Sequence, residues 1–146
     1  MFAIVEGPID VGALIAGAQR PDCGAVATFV GTTRVDEASG ASVEYLEYEA
    51  YRPMADRKLE KIGGEIRERW DARHVAIVHR LGRVEPGEAS VAIVVVSPRR
   101  GPAFEASRYA IERIKEIVPI WKREVWSDGY VWVGSQVGTR SPAQEF

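Results

Sequence analysis

Cysteine and histidine are scarce in this sequence of 146 residues. Cys23 is the only cysteine, which excludes an intramolecular disulfide and any zinc or iron–sulfur site built from several cysteines. His74 and His79 are the only histidines, so a transition-metal site would have to be built mainly from carboxylates. We therefore expect no metal centre, no cofactor, and a reducing, cytoplasmic compartment.

A long apolar run is missing as well. The longest one, from Val91 to Val96, is far shorter than the roughly 20 residues that a membrane-spanning helix needs. The first residues, Met1 to Gly7, lack the basic segment and the following apolar stretch of a secretory signal. We therefore expect a protein that is neither exported by a recognisable signal nor embedded in a membrane.

The sequence has no large excess of charge of one sign. Its 19 Lys and Arg residues and 21 Asp and Glu residues give a net charge of −2, which does not favour binding to DNA or to an anionic membrane. The charge is uneven, because residues 99–123 hold seven basic and three acidic residues whereas residues 1–60 hold five basic and ten acidic ones. We predict that an anionic ligand binds near the segment 99–123.

Apolar spacing alternates between the strand period and the helix period, which predicts one mixed α and β domain over residues 1–133. Strands are predicted over 2–5, 24–33, 43–49, 75–81, 90–97, 120–126 and 130–133. Helices are predicted after an Asp10 cap, from Pro53 to Trp70 with close packing at its two glycines, and from Phe104 to Val118. Residues 34–41 are predicted to form a mobile loop, 127–129 a hairpin turn and 134–146 a flexible tail.

Two pairs of basic residues are candidates for chemistry. Arg99 and Arg100 lie between a predicted strand and the second long helix, where free backbone N–H groups and the helix dipole favour an anion. Lys115 and Lys122 lie on either side of Pro119, so a chain reversal would bring both ammonium groups to one pocket, where each lowers the pKa of the other. From spacing alone, solvated arginines and a lysine at a helix C-terminus are the commoner outcome.

Arg34 is a further candidate, because it directly follows a predicted buried strand and opens the polar loop. A guanidinium there would reach a ligand while the loop closes over it, although a surface arginine is the commoner outcome. His79 is interpreted as a packed histidine, and Cys23, which has no basic neighbour in sequence, as an unreactive thiol.

Five motifs follow one another in a fixed order within residues 2–133. They are FVGTTR at 29–34, LEYEAY with PMA at 46–55, HRLG with GEASV at 79–91, AFEA at 103–106, and the segment 115–124 that ends in PIWKRE. Together they resemble the catalytic (large) subunit family of molybdopterin synthase.

The resemblance implies an α+β protein with an α/β hammerhead-type fold and an additional antiparallel β subdomain. It implies a sulfurtransferase of molybdenum cofactor biosynthesis. Such an enzyme takes sulfur from the thiocarboxylated C-terminal glycine of a small ubiquitin-like carrier subunit. It places the sulfur on cyclic pyranopterin monophosphate, which forms the dithiolene of molybdopterin. The implied assembly is a heterotetramer, in which a large-subunit homodimer carries one small subunit at each end.

The resemblance also implies site residues. Lys115 and Lys122 match the two active-site lysines of the family, with Lys115 as the acid, base or acyl-accepting amine and Lys122 as the residue that lowers its pKa. Arg99 stands where the family usually has histidine, so it supplies charge but no imidazole. The predicted substrate-binding residues are Thr32, Thr33, Arg34, Arg99, Arg100, Arg123 and Glu124.

Two other classes of function stay open. The arginine at position 99 favours a non-catalytic dimeric module that binds a ubiquitin-like carrier without turnover. A nucleic-acid binder would use the basic segment and the tryptophans, but half of those positive charges alternate with acidic residues along the predicted helix.

Overall fold

The computed structural model describes residues 1–34, 43–126 and 129–133. Three helices are present in these ranges: α1 (Val11–Ala18), α2 (Arg52–Arg69) and α3 (Arg100–Ile117). The strands are β1 (Phe2–Val5), β2 (Ala25–Thr32), β3 (Tyr45–Ala50), β4 (His74–Arg80), β5 (Gly82–Val84), β6 (Ala89–Ser97), β7 (Ile120–Trp126) and β8 (Gly129–Val133). Among the described residues, no helix is both long enough and apolar enough to cross a membrane.

The first sheet has the strand order β1-β4-β6-β2, with β1 parallel to β4 and the other pairs antiparallel. Both faces of its central strand β6 are covered. Val91, Ile93 and Val95 belong to the main core with α2 and α3, whereas Val94 and Val96 pack with residues of α1. This double burial explains why residues 91–96 form a continuous apolar run instead of an alternating pattern.

Helices α2 and α3 lie on one face of this sheet and contribute most of the main core. The buried side chains of α2 recur at helical spacing, as in Leu59, Ile62 and Ile66. Gly63 is also buried, and a Cβ atom at this position would collide with the Phe2 ring. The expected close packing therefore holds for Gly63 but not for Gly64, which has open space beside it.

The second sheet is antiparallel and has the strand order β5-β3-β7-β8. With it, the predicted α+β class and the additional antiparallel sheet are confirmed. The Asp10 cap of α1 is also confirmed, because its carboxylate accepts a hydrogen bond from the Ala13 N–H at 3.0 Å.

Two predicted elements differ from the structure. The separate strand β5 was not predicted: the chain leaves the first sheet at Arg80 and enters the second at Gly82, whose φ of +84° suits glycine. Helix α3 begins at Arg100 instead of near Phe104, since Pro102 is tolerated in a first helical turn. The predicted loop after Arg34, the centre of the 127–129 turn and the tail from 134 lie outside the described residues.

Candidate functional site

A cavity of about 330 Å³ lies where the end of β2 and the start of β6 meet the second sheet and the last turns of α3. Its lining combines apolar side chains with hydroxyl and charged groups. The residues that line it are Phe29, Gly31, Thr32, Thr33, Arg34, Leu46, Tyr48, Ser90, Val91, Ile111, Lys115, Lys122 and Glu124. Six of the predicted site residues therefore line the same cavity: Thr32, Thr33, Arg34, Lys115, Lys122 and Glu124.

The chain reversal after α3 places Lys115 and Lys122 in this cavity. The helix ends at Ile117, where the Val118 N–H still bonds to the Ile114 carbonyl at 3.0 Å, and Pro119 follows. Strand β7 then runs back along β3, with Lys122 opposite Tyr48. The two lysines lie in different elements, and both line the same cavity, as the predicted reversal requires.

The charges of the cavity lining are not balanced. Among the described residues that line it, Arg34, Lys115 and Lys122 are basic and Glu124 is the only acidic one. Within the described ranges, none of these four residues forms an ion pair. The cavity therefore offers an excess of positive charge to an anionic ligand.

The pKa of Lys115 is lowered from its ordinary value, first by desolvation against the cavity wall and then by the nearby positive charge of Lys122. A lower pKa leaves a larger fraction of neutral amine at neutral pH. Lys115 is thereby better suited than an ordinary surface lysine to accept a proton or to attack a carbonyl carbon.

Thr33 contributes a hydroxyl group to the cavity. The residue is 3% exposed, and its Oγ1 atom is buried without a hydrogen-bond partner in the part of the chain that the structure describes. Buried hydroxyl groups are normally paired, so the Thr33 hydroxyl group is an exception beside this cavity.

Sequence reasoning missed Tyr48 as a cavity residue. It lies directly opposite Lys122 on the neighbouring strand, and burial raises the pKa of its phenol more than a hydrogen bond with Ser90 lowers it. The His79 ring packs edge to face against Tyr48 with 5.3 Å between centroids. The alternation of Leu46 and Tyr48 on one strand face was the signal available in the sequence.

His79 is buried, as predicted for a packed histidine. The pKa of His79 is lowered to about 4, mainly by burial and to a smaller extent by the charge of Lys115, while the hydrogen bond to the Arg80 carbonyl acts in the opposite direction. The neutral ring places Nδ1 2.9 Å from the Arg80 carbonyl oxygen, so Nδ1–H donates there. At neutral pH the imidazole is therefore an uncharged ring that packs against Tyr48.

Arg123 does not line the cavity, although it was predicted to bind substrate beside Lys122. Side chains alternate along β7, so Arg123 points to the face opposite Lys122 and Glu124. There it pairs with Glu47 and lies 4.7 Å from the centre of the Tyr130 ring. The structure therefore assigns Arg123 to the outer face of the second sheet.

Arg99 and Arg100 are also separate from the lysine cavity. They are exposed and line a different cavity of about 610 Å³ with Gly24 at the N-terminal end of α3. Arg100 and Lys115 lie near opposite ends of the 18-residue α3, about 22 Å apart along the axis at 1.5 Å per residue. One protomer therefore does not bring Arg99 or Arg100 into the cavity that Arg34, Lys115 and Lys122 line.

The basic segment around α3 is less positive at its surface than its composition indicates. Arg108 pairs with Glu112 at 2.9 Å, and Arg113 pairs with Glu65 and Glu116, each at 3.1 Å. These ion pairs neutralise two of the arginines that a nucleic-acid binder would present.

The remaining candidates for ligation or thiol chemistry are few. Burial and the neighbouring Asp22 raise the pKa of the Cys23 thiol, which disfavours a reactive thiolate. Across residues 1–34, 43–126 and 129–133, no group of three or more His, Cys, Asp or Glu side chains is arranged to hold a metal ion.

Comparisons with known proteins agree with this fold. The family model described as MoaE protein matches residues 4–117. The molybdopterin synthase catalytic subunit of Halalkalibacterium halodurans is 53% identical over 140 residues, which cover 96% of this chain and 89% of the relative.

Solved structures give the same result. The crystal structure of molybdopterin synthase from Staphylococcus aureus matches with a TM-score of 0.85 and 48% identity, over 90% of this chain and 95% of that one. A complex of subunits 1 and 2 of the molybdopterin-converting factor from Helicobacter pylori shares the fold with a TM-score of 0.76 at 24% identity, over 96% of this chain and 92% of that one. The chain belongs to the MoaE protein family, the catalytic subunits of molybdopterin synthase, which are enzymes of molybdenum cofactor biosynthesis.

Proposed function

We propose that the protein is a sulfurtransferase. It takes sulfur from the thiocarboxylated C-terminal glycine of a small ubiquitin-like carrier subunit and places it on cyclic pyranopterin monophosphate, which becomes the dithiolene of molybdopterin. The observation that carries this proposal is the unbalanced positive charge of the cavity that holds Arg34, Lys115 and Lys122. A thiocarboxylate and a substrate phosphate are both anions, so both are attracted to such a cavity.

Lys115 is the proposed catalytic residue. Transfer of sulfur from an acyl group develops negative charge on oxygen and sulfur, and an ammonium group at a sheltered site stabilises that charge. The lowered pKa of Lys115 allows the same group to act as an acid or a base, or to accept the acyl group as an amine. Lys122 lowers that pKa and adds a second positive charge.

The other cavity residues are proposed to hold the substrate. Arg34 binds the phosphate, assisted by the hydroxyl groups of Thr32 and the unpaired Thr33. Glu124 lies on the same face of β7 as Lys122 and is proposed to orient the substrate by accepting hydrogen bonds.

Arg99 and Arg100 need a different explanation, because they lie at the far end of α3 from Lys115. We propose a homodimer of this chain within a heterotetramer. If these arginines bind substrate, they do so at the site of the other protomer.

The carrier subunit is the proposed partner. Its extended C-terminal tail would enter the cavity toward Lys115, held by backbone hydrogen bonds and by the fit of small residues. The described complex from Helicobacter pylori contains two different subunits of the converting factor, which supports an assembly of this kind.

The experiment that tests the proposal is reconstitution with Lys115→Ala. Thiocarboxylated carrier and pyranopterin precursor are mixed with the protein, and molybdopterin is measured as its fluorescent oxidation product. We expect the initial rate to fall by about 100-fold or more, because a general acid or base contributes on that scale.

The matched control is Lys61→Ala, which removes an exposed lysine of α2 that does not line the cavity. It should retain the wild-type rate. A wild-type rate for Lys115→Ala would contradict the proposal. Carrier binding without product from the unmodified protein would instead support the non-catalytic binding module.

A further inference from the structure

The turn between β5 and β6 holds the backbone of a cavity residue. The Gly87 N–H donates to the Thr33 carbonyl oxygen at 2.7 Å, and the Thr33 N–H donates to the Glu88 carbonyl oxygen at 3.0 Å. Thr33 lines the cavity and directly precedes Arg34. These two hydrogen bonds therefore hold the backbone of Thr33 in place and, through it, the backbone position of Arg34.

The two hydrogen bonds between Thr33 and the turn lie just beyond the end of the regular pairing between β2 and β6. The ladder between β2 and β6 shifts register between Gly31 and Thr32, and its last pair is Thr32 with Ala89. A shift of this kind bends the strand and locally disrupts pairing. Beyond it, the turn that ends at Glu88 provides the next hydrogen bonds to the backbone of Thr33.

The Glu88 side chain holds the turn in shape. Its Oε1 atom accepts a hydrogen bond from the Glu85 N–H at 2.9 Å, and its Oε2 atom accepts one from Arg80 Nη1 at 3.3 Å. Arg80 also donates through Nη2 to the Arg83 carbonyl oxygen at 2.9 Å. One guanidinium thus connects the end of β4 with β5 and with the last residue of the turn at 85–88.

This ion pair differs from the surface pairs of the protein. The Arg80 side chain is 11% exposed and that of Glu88 is 38% exposed, whereas the corresponding values for Arg108 and Glu112 are 81% and 58%. An arginine as sheltered as Arg80 depends strongly on its carboxylate partner, because removal of that partner leaves a buried charge unpaired.

We propose that Arg80 and Glu88 are positioning residues for substrate binding. Through the turn at residues 85–88, they set the backbone of Thr33 and hence the direction in which Arg34 enters the cavity. Neither residue lines the cavity itself, so they act through Thr33 and Arg34. The inference rests on the proposed function, in which Thr33 and Arg34 bind the anionic precursor.

The test uses Glu88→Ala and Glu88→Gln in the reconstituted synthase with thiocarboxylated carrier. For Glu88→Ala we expect the KM for the precursor to rise about tenfold while kcat changes less than about threefold, since a misplaced binding group weakens binding more than chemistry. Glu88→Gln keeps an oxygen that can accept from the Glu85 N–H, so it should restore part of the loss. Arg80→Lys should lie between wild type and Glu88→Ala.

Amide hydrogen exchange provides a readout that does not depend on turnover. In Glu88→Ala the Thr33 N–H should exchange about tenfold faster, whereas the amides of the central strand β6 at residues 92–96 should keep their protection. The control Glu112→Ala breaks an exposed arginine–glutamate pair and should change neither the KM nor the Thr33 exchange rate.

The outcomes separate the two proposals. If the unmodified protein makes no molybdopterin, the proposed function fails. If it is active and Glu88→Ala keeps the wild-type KM, or if Thr33 exchange is unchanged, the positioning role of Arg80 and Glu88 is overturned.

Discussion

At the scale of single residues, the reactivity of the cavity depends on how Lys115 and Lys122 affect each other. Lys115 lies in the last turn of α3, and Lys122 is the third residue of β7. Both side chains line the cavity. Desolvation lowers the pKa of Lys115, and Lys122 contributes the second part of the shift. The two lysines are therefore electrostatically coupled, and we propose different chemical roles for them.

Substitution of Lys122 should raise the pKa of Lys115. Lys122→Met removes the positive charge that opposes protonation of Lys115, so the neutral amine should appear only at higher pH. The measurement is the pH dependence of Lys115 acylation by an amine-reactive reagent, followed by mass spectrometry. Lys61→Met should leave the midpoint for Lys115 unchanged, and an unchanged midpoint in Lys122→Met would contradict the coupling.

His79 should make the stability of the protein depend on pH. Its folded pKa is about 4, against 6.5 for an ordinary histidine, so the unfolded chain binds more protons between these values. Neutral His79 makes its full contribution to the free energy of unfolding above pH 6.5. This contribution decreases as the pH falls toward 4, by about 3 kcal/mol in total.

The check is the free energy of unfolding of wild type and His79→Gln, measured by urea denaturation from pH 4 to pH 7. The difference between the two proteins isolates His79 from the carboxylates that titrate in the same range. This difference should shrink as the pH falls. A difference that stays constant over the whole range would show that His79 does not behave as a neutral buried group.

Part of the site was predictable from single residues. Pro119 ends the helix and allows a chain reversal that would bring Lys115 and Lys122 together, and Arg34 follows a strand that ends at the cavity. Tyr48 was not predictable as the neighbour of Lys122, because the register between β3 and β7 depends on residues far apart in sequence. That Arg123 points away from the cavity was predictable, because successive side chains of a strand point to opposite faces and Lys122 points into the cavity.

At the scale of elements, α2 fits against β1 because Gly63 leaves room for the Phe2 ring. Without a side chain at Gly63 the helix approaches the strand closely and covers the core beneath it. The next residue, Gly64, has no heavy atom within contact distance of an added Cβ. The two adjacent glycines therefore make a matched pair for substitution.

Gly63→Ala should destabilise the protein by about 1–3 kcal/mol, because the new methyl group overlaps a packed aromatic ring. Gly64→Ala should stabilise it by up to about 1 kcal/mol, since alanine favours the helix and meets open space. Urea denaturation of both variants measures the difference. Equal free energies of unfolding for the two variants would contradict the close contact at Gly63.

The elements that sequence reasoning misplaced lie at boundaries. Strand β5 has three residues, too few for an alternating pattern, and it forms because β3 offers a free edge. In the helix that starts at Arg100, the small residues Ala103 and Ala106 are buried, whereas glycine and proline in its first turn indicate a loop from propensity alone.

At the scale of the whole molecule, two sheets and the end of one helix form a cavity whose described lining residues include three basic ones and one acidic one. A net charge of −2 conceals this arrangement, because basic residues elsewhere on α3 are paired with glutamates. Within the described ranges, Arg34, Lys115 and Lys122 line the cavity and form no ion pair. This distribution suits a small anionic substrate better than an extended polyanion.

The most direct test of the central claim is a single-turnover experiment with labelled sulfur on the thiocarboxylated carrier. Wild type and Lys115→Ala are compared at saturating carrier and precursor, and the transfer of label to the pterin is followed. We predict that Lys115→Ala, although saturated with carrier and precursor, transfers sulfur at least about 100-fold more slowly than wild type. Transfer at the wild-type rate would contradict the assignment of the chemistry to this cavity.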